Sequence, residues 1–280
     1  MYDDLKGKVV VITGSGRPHG LGQGMAKRFA VEGCRVVVSD LARPNVLTAD
    51  NVVRTGEWED LLQRKQEIEA LGAGCLAVKC NVMEESEIQA MIDATVAEFG
   101  RVDILINNVG GAKSSHTVPL IEVDAETWDD GITLNSKGTH LCSRAFAKQM
   151  IKQGQGGKIV NIASQAAVKA LPGLGIYCAA KAAVYQYTKV LALELAPHKI
   201  NVNAVLPGTI MTDQLVEVFT RMAEKLGLPT DDLTKLLPPI PWGRVQTADD
   251  VAAAVLWLSS KESDYVTGEG IVVTGGQTIA

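Results

Sequence analysis

Short runs of β-branched residues alternate with helical stretches from one end of this 280-residue chain to the other. Lys8–Thr13 (KVVVIT), Arg35–Ser39 (RVVVS), Cys75–Val78, Val102–Ile106, Lys158–Ile162, Asn201–Val205 and Gly270–Val273 read as strands. Gly20–Glu32, Glu57–Leu71, Glu84–Phe99, Ala125–Met150, Ile176–Ala196 and Ala248–Leu258 read as helices. In the second of these, Trp58, Leu61, Leu62, Ile68 and Leu71 make the expected apolar face. Strand followed by helix, repeated, implies a parallel sheet covered on both faces through right-handed crossovers. No linker, composition break or fixed-period repeat divides the chain. The expected fold class is α/β: a doubly wound parallel sheet in a single domain over residues 1–280.

Two segments break the pattern. Leu41–Gly56 carries no periodicity and is long for a connection. Asp213–Arg244 ends in Pro238, Pro239 and Pro241 and carries a stripe of Met222, Leu226, Leu228, Leu233, Leu236 and Leu237. It reads as a lid over a substrate, because ligands in open α/β sheets bind beyond the carboxyl ends of the strands. A surface insert packed on the core is the alternative. Ile176–Ala196 holds only Lys181, Lys189 and Glu194 as charges. A helix that is apolar nearly all round should be buried, and a second copy of the chain can complete that burial. A homotetramer or homodimer is expected.

Composition narrows the function. The net charge is −5 and no basic stripe is present, which argues against nucleic acid. The apolar runs stop short of membrane-span length, and the N-terminal residues carry no secretory signal, so no membrane is expected and a cytoplasmic location is. Five scattered cysteines without a CxxC pair read as reduced thiols. The four histidines lack zinc-ligand spacing, so no metal is expected.

The first strand runs into Thr13-Gly14-Ser15-Gly16-Arg17-Pro18-His19-Gly20-Leu21-Gly22. Glycines let a backbone turn sharply and approach a pyrophosphate, which the following helix N-terminus attracts. Asp40 closes the second strand, where a carboxylate can hydrogen-bond a ribose 2′-hydroxyl. It would repel a 2′-phosphate, so NAD is favoured over NADP, although Arg17 and Arg43 can offset the repulsion.

Three Tyr-x-x-x-Lys matches occur: Tyr2/Lys6, Tyr177/Lys181 and Tyr185/Lys189. Position selects the second. Residues four apart share a helix face. Tyr177 starts its helix near the sheet's carboxyl edge, while Tyr185 lies about 12 Å further along the axis. Ser164 falls on the same edge, just past the strand ending at Ile162. Free tyrosine has a pKa of about 10 and is a poor base at neutral pH. A nearby ammonium and a cationic nicotinamide would lower that value. Ser164 would hydrogen-bond the reacting oxygen.

With these residues in register, the chain resembles the short-chain dehydrogenases/reductases over nearly its whole length. The matching pieces are the Thr13–Gly22 turn, Asp40, Asn81-Val82, Asn107-Asn108-Val109-Gly110, Asn135, Ser164, Tyr177/Lys181, Pro207-Gly208 with Thr212, and Tyr265–Gly268 through Gly275-Gly276. The resemblance implies a Rossmann-type sheet of strand order 3-2-1-4-5-6-7 and usually a tetramer. It implies Asn135, Ser164, Tyr177 and Lys181 as the catalytic set, Asn135 holding a water that links Lys181 to solvent. Asn135 alone reads equally as a helix-kink residue. The implied cofactor contacts are Gly14, Ser15, Arg17, Gly20, Leu21, Gly22, Asp40, Asn81, Val82, Asn107, Tyr177, Lys181, Pro207, Gly208, Ile210 and Thr212. Five residues separate Gly14 from Gly20 where the family usually has three. Asn81, Val109 and Thr274 replace the usual Asp, Ala and Asp.

The expected reaction interconverts a secondary alcohol and a ketone, with Tyr177 as general acid/base and NAD as cofactor. The mouth should include Gly111–His116, Gln165–Lys169 and Leu171–Leu174. There Lys113, His116 and Lys169 read as solvated loop charges or as an anion site. Alternatives are an NADPH-dependent 3-oxoacyl-thioester reductase and a non-catalytic dinucleotide-sensing protein.

Overall fold

The computed structural model describes residues 2–43, 46–47, 52–53, 57–111, 116–212, 215–216, 219–220, 223–224, 227, 229–231, 233–237 and 239–279. Seven strands are β1 (Val9–Thr13), β2 (Arg35–Asp40), β3 (Cys75–Lys79), β4 (Ile104–Asn107), β5 (Gly157–Ile162), β6 (Ile200–Pro207) and β7 (Gly270–Val273). They form one sheet in the order β3-β2-β1-β4-β5-β6-β7. Every neighbouring pair is parallel. The expected strand order and fold class are those observed. The order reverses between β1 and β4, so their carboxyl ends open a crevice.

The helices are α1 (Leu21–Val31), α2 (Trp58–Glu69), α3 (Glu85–Phe99), α4 (Ala125–Ile132), α5 (Gly138–Gln153), α6 (Gly175–Leu195) and α7 (Ala248–Ser259). They explain why the strands lack an alternating pattern. Successive side chains of β1 point to opposite faces, and each face meets a helical layer. Val10 and Ile12 pack with Met25 and Phe29 of α1 and Val255 of α7. Val11 packs with Ile88 of α3, Phe146 of α5 and Leu191 of α6. All of β1 is buried.

Two readings of helices need correction. The long helix expected over Ala125–Met150 is broken by a π-helical turn at Thr133–Lys137. A π turn leaves the carbonyl four residues back without its usual partner. The Asn135 side chain supplies one, its Nδ2 donating to the Gly131 carbonyl at 3.1 Å. The face expected on α2 is also narrower. Leu61, Arg64 and Ile68 are buried, whereas Trp58, Leu62 and Leu71 are exposed. Arg64 enters the buried stripe because Glu67 holds its guanidinium at 2.9 Å.

The Leu41–Gly56 stretch is not wholly without pattern: Val46–Leu47 and Val52–Val53 pair as a short antiparallel ladder. In the expected lid, 215–216, 219–220 and 223–224 are helical and Leu233–Leu236 forms a 3-10 turn. Met222, Leu226 and Leu228 of its stripe lie outside the described residues. On α6 one face enters the core, while Val190 and Leu193 stay 47% and 77% exposed. No helix among the described residues is long and apolar enough to cross a membrane. All five cysteines are free.

Candidate active site

The glycine turn is fastened at both ends. Gly14 adopts φ +68°, and a Cβ on Gly22 would sit 2.5 Å from the Gly14 carbonyl oxygen and 2.8 Å from Asn108 Nδ2. Only glycine fits there. Asn108 Nδ2 donates to the carbonyls of Thr13 and Gly14, both at 2.9 Å. Sequence reading placed Asn108 in a family motif without giving it this role. Gly20 is the N-cap of α1 and offers no side chain to the first N–H groups of Leu21, Gly22 and Gln23. An uncapped helix start at the carboxyl edge of β1 suits an anion. Ser15 is turned inward: its Oγ donates to the Ile12 carbonyl at 2.9 Å and accepts the Ser39 N–H at 2.9 Å. Arg17 is partly exposed in the same turn, and its carbonyl accepts from the Gly20 N–H.

Asp40 ends β2 beside this turn. One carboxylate oxygen accepts the Gly16 N–H at 2.9 Å and the other the Leu41 N–H at 2.8 Å. The acidic group therefore braces the turn that it was expected to accompany. Asn81 Oδ1 accepts the Met83 N–H at 3.1 Å, and Val82 is buried. Asn107 is buried and its Nδ2 donates to Ser143 Oγ and Asn161 Oδ1, each at 2.8 Å. Asn161 Nδ2 continues to Thr188 Oγ1 at 2.9 Å. This buried chain ties α5, β4, β5 and α6 together beneath the cleft.

Ser164, Tyr177 and Lys181 meet at the carboxyl end of β5. The Ser164 hydroxyl stands close enough to the Tyr177 phenol to favour its ionised form, while its Oγ accepts the Ala166 N–H at 3.2 Å. Lys181 is buried; its Nζ donates to the Ile162 carbonyl at 2.9 Å and lies 5.7 Å from the centre of the Tyr177 ring. Asn135 Oδ1 accepts the Gly111 N–H and its Nδ2 donates to the Gly111 carbonyl, both at 2.9 Å. A Cβ on Gly110 would stand 2.8 Å from Asn135 Oδ1 and 3.0 Å from Lys181 Nζ, so these two side chains flank the same glycine. The π turn thus delivers Asn135 to the site. Tyr185 lies elsewhere, against Gly270 of β7, with Lys189 Nζ 4.2 Å from its ring centre.

Burial controls the electrostatics. It pushes the Tyr177 phenol above its ordinary value of 10.0; the Ser164 hydrogen bond opposes the rise and Cys178 adds to it. In the protein alone burial outweighs any depression by the Lys181 ammonium, which donates to the Ile162 carbonyl. Burial brings Lys181 down from 10.5 to about 8.

The remaining residues fall around this centre. Pro207 ends β6, and Gly208 N–H donates to the Val273 carbonyl at 2.8 Å. Ile210 pairs with Gln246, and Thr212 N–H donates to the Ile210 carbonyl at 2.8 Å. His116 and Lys169 are not solvated loop charges. His116 is buried with Nε2 2.9 Å from Asp130 Oδ2, and Lys169 Nζ donates to the Gln277 carbonyl. Lys113 lies outside the described residues. Among the described residues no group of three His, Cys, Asp or Glu is placed to hold a metal ion.

Comparison with known proteins agrees with this arrangement. Residues 14–278 match the family model described as enoyl-(acyl carrier protein) reductase. A 2-dehydro-3-deoxy-D-gluconate 5-dehydrogenase from Dickeya dadantii is 36% identical over 98% of this chain and 96% of its own length. The 3beta-hydroxysteroid dehydrogenase 1 of Eggerthella lenta is 36% identical over 100% of this chain and 97% of its own. The crystal structure of carveol dehydrogenase from Mycobacterium avium in complex with NAD superposes with a TM-score of 0.89 at 30% identity, covering 99% of this chain and 100% of that one. The chain belongs to the short-chain dehydrogenase/reductase family.

Proposed function

We propose that the protein interconverts a secondary alcohol and a ketone with NAD(H), using Tyr177 as general acid/base. The observation that carries this reading is the Ser164–Tyr177–Lys181 cluster on the same sheet edge as an uncapped helix start. The residues suit a dinucleotide. Gly14 and Gly22 keep the turn tight where a side chain would strike Asn108, Val109 or the turn's own main chain. Gly14, Arg17, Gly20, Leu21 and Gly22 would face the pyrophosphate, Asp40 the adenosine ribose, Asn81 and Val82 the adenosine side, and Pro207, Gly208, Ile210 and Thr212 the nicotinamide; Ser15 and Asn107, buried with their side chains bonded inward, would shape the cleft from behind. Bound there, the nicotinamide supplies the hydride acceptor or donor.

The chain's own groups handle the proton. Ionised Tyr177 takes the alcohol proton in oxidation and, protonated, returns it in reduction. Ser164, beside the phenol, would hold the substrate oxygen in line with it. Lys181 contributes positive charge near the ring, and Asn135, beside its ammonium across Gly110, marks the route by which a proton is replenished. Dehydrogenases among the relatives support alcohol oxidation, and the NAD-bound carveol dehydrogenase supports the cofactor.

Acyl-thioester reduction is the second reading, favoured by the family description; the Asp40 carboxylate weighs against the NADPH that such chemistry usually uses. The exposed Val190 and Leu193 on α6 support assembly with further copies, as a homotetramer or homodimer. The test is Tyr177→Phe, assayed against alcohols, polyols, hydroxy acids and acyl thioesters with both cofactors. It should lose kcat by about 10²–10⁴-fold while NADH binding persists. Near wild-type turnover would remove Tyr177 from the mechanism.

A further inference from the structure

Residues 274–279 fold back as a turn after β7. Gln277 is the member of this turn that carries a buried polar side chain across to another loop, with 4% exposure. Its Oε1 accepts the Thr209 N–H at 3.1 Å. Its main-chain carbonyl accepts from Lys169 Nζ. Lys169 follows Ser164 by five residues, and its own carbonyl lies 3.9 Å from the Sγ of Cys178, the neighbour of Tyr177. One residue therefore grips both the loop after β5 and the loop after β6.

The contact also accounts for a glycine. A Cβ on Gly208 would come within 2.8 Å of Gln277 Oε1 and 3.0 Å of the Thr274 Cα. Family resemblance assigns Gly208 to the cofactor. In this protein the turn behind it already excludes a side chain.

We infer that Gln277 is a positioning residue for the 207–212 segment, fixing the Thr209 amide and so the backbone presented to the nicotinamide. This rests on the dinucleotide reading of the cleft. Gln277 acts through Thr209 and Gly208 and is not itself a catalytic residue. A part-buried N–H deprived of its acceptor is destabilised in place, so losing Oε1 lets the segment shift, and small displacements of positioning groups weaken binding steeply.

The experiment compares Gln277→Met, which keeps length without an acceptor, with Gln277→Glu, which keeps one. Amide hydrogen exchange over 207–212 is measured on the cofactor-free chain, and NADH affinity by fluorescence titration. In Gln277→Met, exchange at Thr209 should accelerate about tenfold or more and the NADH Kd rise about five- to twentyfold, with exchange in β1 unchanged. Gln277→Glu should restore both to within about threefold of wild type. If Gln277→Met does not fold, Gln277→Ser, whose side chain is too short to reach, should show the same pair of changes. Unchanged Thr209 protection and Kd in the Met variant, or no rescue by Glu, overturns the inference. If the wild type binds neither NADH nor NADPH, the dinucleotide reading fails, and the Thr209 exchange still decides whether Gln277 holds the segment.

Discussion

Lys181 Nζ donates to the carbonyl of Ile162 at 2.9 Å while standing 5.7 Å from the centre of the Tyr177 ring. A charged group is thus held at the base of a phenol by main chain rather than by a carboxylate. Burial then sets the proton affinity of both partners.

The phenol follows first. With burial raising its pKa above 10.0 in the cofactor-free protein, Tyr177 should remain protonated across the neutral range. Ultraviolet difference titration of wild type against Tyr177→Phe should show no phenolate from this residue below about pH 10. A phenolate signal near neutrality would mean that a positive charge, not burial, governs the site.

The ammonium follows second. Its folded pKa of about 8 lies below the ordinary 10.5, so the unfolded chain binds the extra proton between these values and stability from this group grows as pH rises through that window. Below about pH 8 the full penalty, about 3 kcal/mol, is present. Lys181→Met removes it and forfeits a hydrogen bond worth about 1–2 kcal/mol. The variant should melt at or slightly above the wild type near pH 7 while losing catalysis. Its advantage should shrink by about 2 kcal/mol between about pH 7 and about pH 9.5. A variant advantage that instead grows with pH would show that the ammonium is not buried at a cost.

The proposed function gives Asp40 the choice between the two cofactors. Its carboxylate repels a 2′-phosphate but also accepts the Gly16 and Leu41 amides. Asp40→Asn keeps one acceptor and removes the charge. The ratio of kcat/KM for NAD over NADP should fall by about tenfold or more. An unaltered ratio would place discrimination elsewhere.

Gly22→Ala drives a Cβ to 2.5 Å from the Gly14 oxygen. The clash is with main chain, so it should lower stability by about 1–3 kcal/mol and weaken NADH binding together. Wild-type melting and affinity in this variant would contradict the packing of the turn.

Leu193 is 77% exposed on a helix otherwise poor in charge. Leu193→Glu should reduce the sedimentation mass towards that of one chain at micromolar concentration. A wild type already sedimenting as one chain would dispose of the oligomer.

The sheet was legible because strands buried on both faces read as unbroken β-branched runs, and glycines marked where they turn. Tyr177, Lys181 and Ser164 could be chosen from among three Tyr/Lys pairs because distance along a helix separates Tyr177 from Tyr185. What stayed hidden are contacts between segments remote in sequence. A kink at Asn135 is one reading of the sequence, but nothing local announces its partner Gly111, 24 residues away. His116 looked like a loop charge because its partner Asp130 approaches only when α4 packs. Lys169 and Gln277, 108 residues apart, meet only once β7 is in place.

Because Asn108, Asp40 and the Gly14–Gly22 contact rivet the glycine turn at its two ends, additional length is confined to the stretch from Arg17 to His19. The loop can therefore swell outward in the middle without shifting the helix or the strand it joins. Its size becomes an adjustable dimension, open to lengthening or trimming as a means of reshaping the grip on a diphosphate while the catalytic geometry at the end of β5 stays put.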